Sequence, residues 1–146
     1  MAGLASGSGT VCAKESRSGL NFHETPFVAI RTLMRCEALP DVIWEPMAGA
    51  GAIVKPLRRA GHEVIASDIV DRGCPDAASG IDFLQVTAKP PRVDCIVSNP
   101  PFSKAEEIIY HALYNLEVPK VLMLLRLAFL EGGNLKSHRC HCRRAV

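Results

Sequence analysis

Short apolar runs that stop abruptly on turn-forming residues alternate with helix-length segments along the middle of this chain. That alternation constrains the fold more than any other feature. The sharpest stop is Ser98-Asn-Pro-Pro-Phe102, directly after the run Val93-Asp-Cys-Ile-Val97. Two consecutive prolines cannot continue a central strand, because each lacks a backbone donor and fixes its own φ. A strand over 93–98 therefore ends here and carries an amide, two rings and an aromatic face at its tip.

The other elements follow by the same reading. Ile30, Leu33 and Met34 recur at helical spacing, with Pro26 suited to the first helical position and Thr25 to the N-cap. Residues 41–44 read as a strand closed by Pro46. A Gly-rich turn follows, then a helix that Pro56 starts late, near Lys55, or bends. Gly61 stops that helix, and a strand over 63–67 ends on Asp68. Residues 71–80 form a loop, 81–86 a short β-like segment, and 87–92 a second loop. Ser103 and Glu106 have capping-box spacing, and Ile109, Ala112, Leu113 and Leu116 give the stripe of the next helix. A buried strand over 120–125 closes the series. Strands alternating with helices predict an α/β fold on a parallel sheet, here with five strands and no internal repeat.

The bounds agree with a single domain. A chain of 146 residues, 48% hydrophobic and 22% charged, has the composition of an ordinary globular protein. No apolar stretch approaches the roughly 18–20 residues of a membrane span, and the small, polar start lacks the apolar heart of a signal peptide. Residues 1–20 read as a flexible leader, and the cytoplasm is the expected location. Without a secretory signal the six cysteines predict no disulfide framework, and Cys36 and Cys95 fall in apolar periodic segments that favour buried free thiols. His138, Cys140, His141 and Cys142 are too tightly packed along the chain to close one tetrahedral shell, so no metal is expected.

The chain has 17 lysines and arginines against 15 acids, for a net of +2. Lys136, Arg139, Arg143 and Arg144 crowd the last eleven residues without an acid, so the chain before them is net acidic. Such an end is weak evidence for a nucleic-acid surface.

In open parallel sheets ligands lie beyond the carboxyl ends of the strands, where strand order reverses. Four strand ends here carry distinctive residues. The first is Glu45-Pro-Met-Ala-Gly-Ala-Gly51, whose Ala48, Gly49 and Gly51 let a backbone approach a ligand. The second is Asp68, at a spacing past Gly51 where an acid commonly accepts ribose hydroxyls. Asp82 and Phe83 offer an acceptor beside an aromatic face, suited to an adenine amino group and ring. Asn99, Pro100, Pro101 and Phe102 form the fourth. Each has a plain alternative: a turn glycine, a loop-capping Asp68, a core Phe83, an Asn99 bracing its own turn. Their conjunction in this order predicts one shared ligand site.

With those residues in hand, the stretch from about Phe22 to Gly132 resembles class I S-adenosylmethionine-dependent methyltransferases, in the amino-methylating branch marked by (D/N/S)PP(Y/F) and close to phage- and prophage-type DNA adenine methyltransferases. Glu24-Thr-Pro26 resembles the branch's segment against the cofactor's methionine moiety, which implies Thr25 and Pro26 as cofactor contacts. Glu45–Val54 is similar to its glycine motif, Ala66–Ile69 to its acidic motif and Asp82–Leu84 to its adenine-flanking segment. Ser98–Phe102 is similar to its catalytic motif, and the stretch 124–132 to a post-strand segment.

The resemblance implies a Rossmann-like sheet, S-adenosylmethionine as cofactor, and DNA ahead of RNA as partner. It implies N6 of adenine before N4 of cytosine as target. An exocyclic amino nitrogen shares its lone pair with the ring and is a poor nucleophile. The implied roles let the Asn99 side-chain oxygen and the Pro100 carbonyl accept its two protons and orient it. The prolines hold both acceptors rigid, while Phe102 stacks on a flipped base.

The same motif serves methylation of a glutamine side-chain amide, usually with a helical substrate domain for which there is little room here. A dehydrogenase fits poorly, because Val54 takes the last small position of a GxGxxG pattern begun at Gly49. The remaining alternative is a cofactor-binding fragment without catalysis. The resembling domain spans 21–132, stops soon after the expected fifth strand, and is followed by an atypical basic tail over 133–146, which reads as a truncated or frame-shifted end.

Overall fold

The computed structural model describes residues 25–125. Within them four strands form one all-parallel sheet: β1 (Val42–Glu45), β2 (Glu63–Ala66), β3 (Cys95–Ser98) and β4 (Lys120–Met123), in the order β2-β1-β3-β4. The registers Glu45↔Ala66 and Ser98↔Met123 bring the carboxyl ends of neighbouring strands level. Strand β1 also pairs with β3 through Ile43↔Cys95 and Trp44↔Ile96. The chain steps from β1 outward to β2, returns across β1 to β3, and steps outward again to β4. The order therefore reverses between β1 and β3.

Alternate residues of a strand face opposite ways, and two cores result. Ile43, Cys95 and Val97 pack with Ile30 of α1 (Phe27–Cys36) and with Val54 and Leu57 of α2 (Val54–Arg59). Val42, Trp44 and Ile96 pack with Ile108 of α3 (Ala105–Tyr110) and with Ala112 and Leu116. Helices thus cover both faces in an α/β layering, α1 and α2 on one side and α3 on the other. Lys120 ties the outer strand to the end of α1, its Nζ donating to Glu37 Oε2 at 2.7 Å and to the Ala38 carbonyl at 2.8 Å.

Several sequence expectations need correction. The segment 81–86 is no strand: Asp82 Oδ1 accepts from the Leu84 N–H at 3.1 Å and winds Phe83–Gln85 into a 3₁₀ turn. Four strands, not five, therefore make up the described sheet. Thr25 does not cap α1; Pro26 holds the N-cap position and no side chain bonds there. Helix α2 begins at Val54 with Pro56 in its first turn, where a missing N–H costs little.

The Ser103–Glu106 capping box does not form. A 3₁₀ turn over Phe102–Lys104 leads straight into α3, and Lys104 takes the cap position without a side-chain bond. Ile108 rather than Ile109 is buried in that helix, together with Ala105, and the helix continues as a π segment over His111–Asn115. Strand β4 is half-buried along its length. Cys95 is a buried free thiol, but Cys36 is exposed. The leader, most of the stretch 124–132, and the basic tail with its His/Cys cluster lie outside the described residues.

Candidate functional site

Three side-chain bonds, each linking residues far apart in sequence, build the carboxyl end of the sheet. The first crosses the reversal point: Ser98 Oγ, at the tip of β3, donates to Glu45 Oε1, at the tip of β1, at 2.6 Å. Glu45 Oε1 also accepts the Met47 N–H at 3.0 Å, while Oε2 is buried without a hydrogen-bond partner. Burial pushes the Glu45 carboxyl from 4.5 up to about 8. The nearby Asp68 carboxylate adds to the rise, and the bonds from Ser98 and Met47 oppose it. At neutral pH the first strand end therefore presents a largely neutral acid with one unsatisfied oxygen.

The second bond holds the Gly-rich turn. Asp68 Oδ2 accepts the Gly49 N–H at 2.7 Å, and its Oδ1 accepts the Val70 N–H at 3.1 Å. Gly49 has φ +55, a conformation that costs an ordinary residue about 1 kcal/mol or more. Ala48 is buried, its N–H donating to the Ser67 carbonyl at 2.9 Å. Gly51, at φ +85, is glycine for an internal reason: a Cβ there would stand 2.9 Å from Cys74 Sγ. The nearest atom that a side chain at position 51 would meet is thus this protein's own buried thiol.

The third bond joins the segment before α1 to the β3 tip, Asn99 Nδ2 donating to Thr25 Oγ1 at 3.1 Å. The amide nitrogen turned toward Thr25 aims its oxygen the other way. Pro100 is buried behind it, and Pro101, at φ −56 and ψ 124, turns the chain into the half-buried Phe102. The Pro101 carbonyl accepts the Lys104 N–H at 2.9 Å.

Asp82 reaches this end by the folding back of the loop after β2. Ser67 bridges to Ala78, and the Asp68 carbonyl accepts the Ile81 N–H at 3.1 Å, so Asp82 follows immediately beside Asp68. The Phe83 ring takes no part in an open face. It is 4% exposed and meets Trp44 and His111 edge-on, each at 5.2 Å.

All four strand-end groups expected from the sequence therefore gather at one end, with Phe83 contributing backbone and core. The open space there includes a cleft of about 430 Å³ bordered by Thr25, Pro26, Phe27, Gly51, Lys55 and Arg59. Another, of about 390 Å³, lies beside Asp82, Gln85, Lys104, Glu107 and His111.

Sequence reading missed Ser98 and Ser67 as partners, Cys74, and Ile69. Ile69 follows Asp68 directly and is 50% exposed, an apolar side chain that faces water beside the acid. Its exposure had no sequence signal beyond its place after Asp68. Among the described residues no three His, Cys, Asp or Glu side chains gather as a metal centre, and no helix is long and apolar enough to cross a membrane. Neither a family model nor a curated protein matches this chain.

Proposed function

We propose that this chain is a methyltransferase domain of the Rossmann-like class I type, acting on an exocyclic amino nitrogen of a nucleic-acid base, N6 of adenine in DNA foremost. The observation that carries the reading is the Asn99 amide, fixed at a strand tip by Thr25 and followed by two prolines. It stands next to the reversal point of a parallel sheet, where α/β folds bind their ligands.

S-adenosylmethionine, when bound, supplies an electrophilic methyl group on a sulfonium. The residues present fit it. Glu45 Oε2 is buried without a partner, and an α-ammonium group beside it favours the ionised carboxylate, which then accepts from that cation. Asp68 keeps acceptor capacity for ribose hydroxyls beyond its two backbone bonds, since a carboxylate offers about four lone-pair sites. Asp82 suits the adenine amino group, Ile69 its ring face, and Ala48, Gly49 and Gly51 form the turn beneath. Thr25 and Pro26 border the cleft on the methionine side.

The catalytic work of the chain's own residues is orientation. Asn99 Oδ1 and the Pro100 carbonyl accept the two protons of the target amino group and draw its lone pair out of conjugation. Pro101 and its ring keep both acceptors from drifting, and Phe102 stacks on the base. No general base of shifted pKa is required at the target nitrogen. The same clamp fits a glutamine amide, and the choice of substrate is open to direct assay.

Calorimetric titration with S-adenosylmethionine and with NAD, followed by transfer of a labelled methyl group to duplex DNA, RNA or peptides, tests the reading. Binding of the first ligand and labelling of DNA is the expected result. Tighter binding of NAD overturns it.

A further inference from the structure

We propose that the outer face of α1 and α2 is a docking track for the phosphodiester backbone of duplex DNA, leading to the Asn99 tip. Net charge conceals this surface because the two helical layers carry opposite charge. Neither α1 nor α2 contains an acid. Arg31 and Arg35 are exposed on α1, and Lys55 and Arg59 on α2. Across the sheet, α3 opens with Glu106 and Glu107, and Glu117 follows its π segment.

The four cations stand in two pairs. Residues four apart share one side of a helix about 6 Å apart, and this applies to Arg31–Arg35 and to Lys55–Arg59. Among the described residues none of the four has a carboxylate partner; Lys55 alone is engaged, donating to the Ala50 carbonyl at 2.8 Å. Arg58 differs. It is spent on the fold, donating to the Val64 and Pro75 carbonyls at 2.9 and 3.1 Å.

The track also has a direction. Phe27, 58% exposed, begins α1 one turn before Arg31 and borders the cleft shared with Lys55 and Arg59. Two residues before it, Thr25 holds Asn99. Cations and an exposed ring on a path that ends at an amino-group clamp make the combination suited to a polyanion that presents bases. The inference rests on the nucleic-acid reading of the Asn99 site, but its test needs no methyl transfer.

The test is fluorescence anisotropy of a labelled mixed-sequence DNA duplex against the full chain over a range of salt. Arg31→Gln/Arg35→Gln should weaken binding about tenfold at moderate salt and flatten the slope of log K against log salt by about two. Lys89→Gln/Arg92→Gln removes the same charge from the loop before β3 and should change neither. Calorimetry with S-adenosylmethionine should be identical for all three, so loss of cofactor binding reports on the methyltransferase reading alone. Equal weakening by both double variants overturns the track, as does tighter binding to duplex RNA or to phosphatidylserine vesicles than to DNA.

Discussion

Ser98 Oγ lies 2.6 Å from Glu45 Oε1, and this bond is the only side-chain link described between the tips of β1 and β3. It couples the strand that begins the Gly-rich turn to the strand that ends in Asn99. The residue next to the proposed clamp is thereby anchored to a buried acid.

Ser98→Ala removes that donor and leaves Glu45 Oε1 with the Met47 N–H alone. Loss of a buried hydrogen bond to a polar group should cost about 1–3 kcal/mol. The midpoint of urea unfolding should fall accordingly without a change in slope. Because the Ser98 bond lowers the Glu45 pKa, its loss should raise that pKa further.

Glu45 itself predicts a pH dependence of stability. Its folded-state value of about 8 lies above the ordinary 4.5, so folding favours the neutral form. The stability it contributes is fully present below about 4.5 and is lost as pH rises through about 8. Glu45→Gln cannot titrate. Its melting temperature should therefore gain on the wild type steadily from pH 5 to 8 and run parallel above that. A constant difference across the range contradicts the buried neutral acid.

Asn99→Ala should leave the affinity for S-adenosylmethionine within a factor of a few and abolish methyl transfer, because the clamp acts on the target nitrogen. Thr25→Val removes the acceptor that orients the amide and should lower kcat with a smaller effect on cofactor KM. Thr25→Ser, which keeps the hydroxyl, should restore most of it. Full activity in the Val variant with loss in the Ser variant would show that the methyl group of Thr25, not its oxygen, matters.

Asp68 holds the turn as well as facing the proposed ribose, so Asp68→Ala should weaken cofactor binding and loosen the Gly49 loop together. Asp68→Asn keeps one acceptor and loses the charge. Calorimetry should show an affinity loss on the order of 1.5–3 kcal/mol for the Ala variant, the scale of charge-assisted bonds. The Asn variant should fall between it and the wild type. Hydrogen exchange at the Gly49 amide, bonded to Oδ2, separates the loop effect from the ligand effect.

What the sequence made legible was local. Strands β1, β2 and β3 were readable because apolar runs end on Pro46, Asp68 and Pro100, which no strand continues past. Gly61 was readable as a stop, and its φ of +97 explains why. The failures came where a polar side chain had a choice of partner. Asp82 turned its oxygen to the Leu84 N–H and converted an expected strand into a 3₁₀ turn.

Thr25, placed ideally to cap α1, instead bonds Asn99, 74 residues away. No periodicity reveals that competition. The Glu45–Ser98 pair, 53 residues apart, is equally invisible before the sheet forms. Charge failed in another way: a near-neutral total carries no trace of which helix layer holds each sign.

The buried Trp44 has a practical consequence. It is the one tryptophan of the chain, 2% exposed, with its Nε1–H donating to Ser67 Oγ at 3.1 Å and its ring edge-on to Phe83. Ser67 adjoins Asp68, and Phe83 adjoins Asp82, so the indole touches the neighbours of two strand-end acids at once. Excited at long wavelength, the unmodified protein emits from this single chromophore. Its colour and intensity form an optical gauge of the packing beneath these strand ends, readable with no dye, tag or isotope.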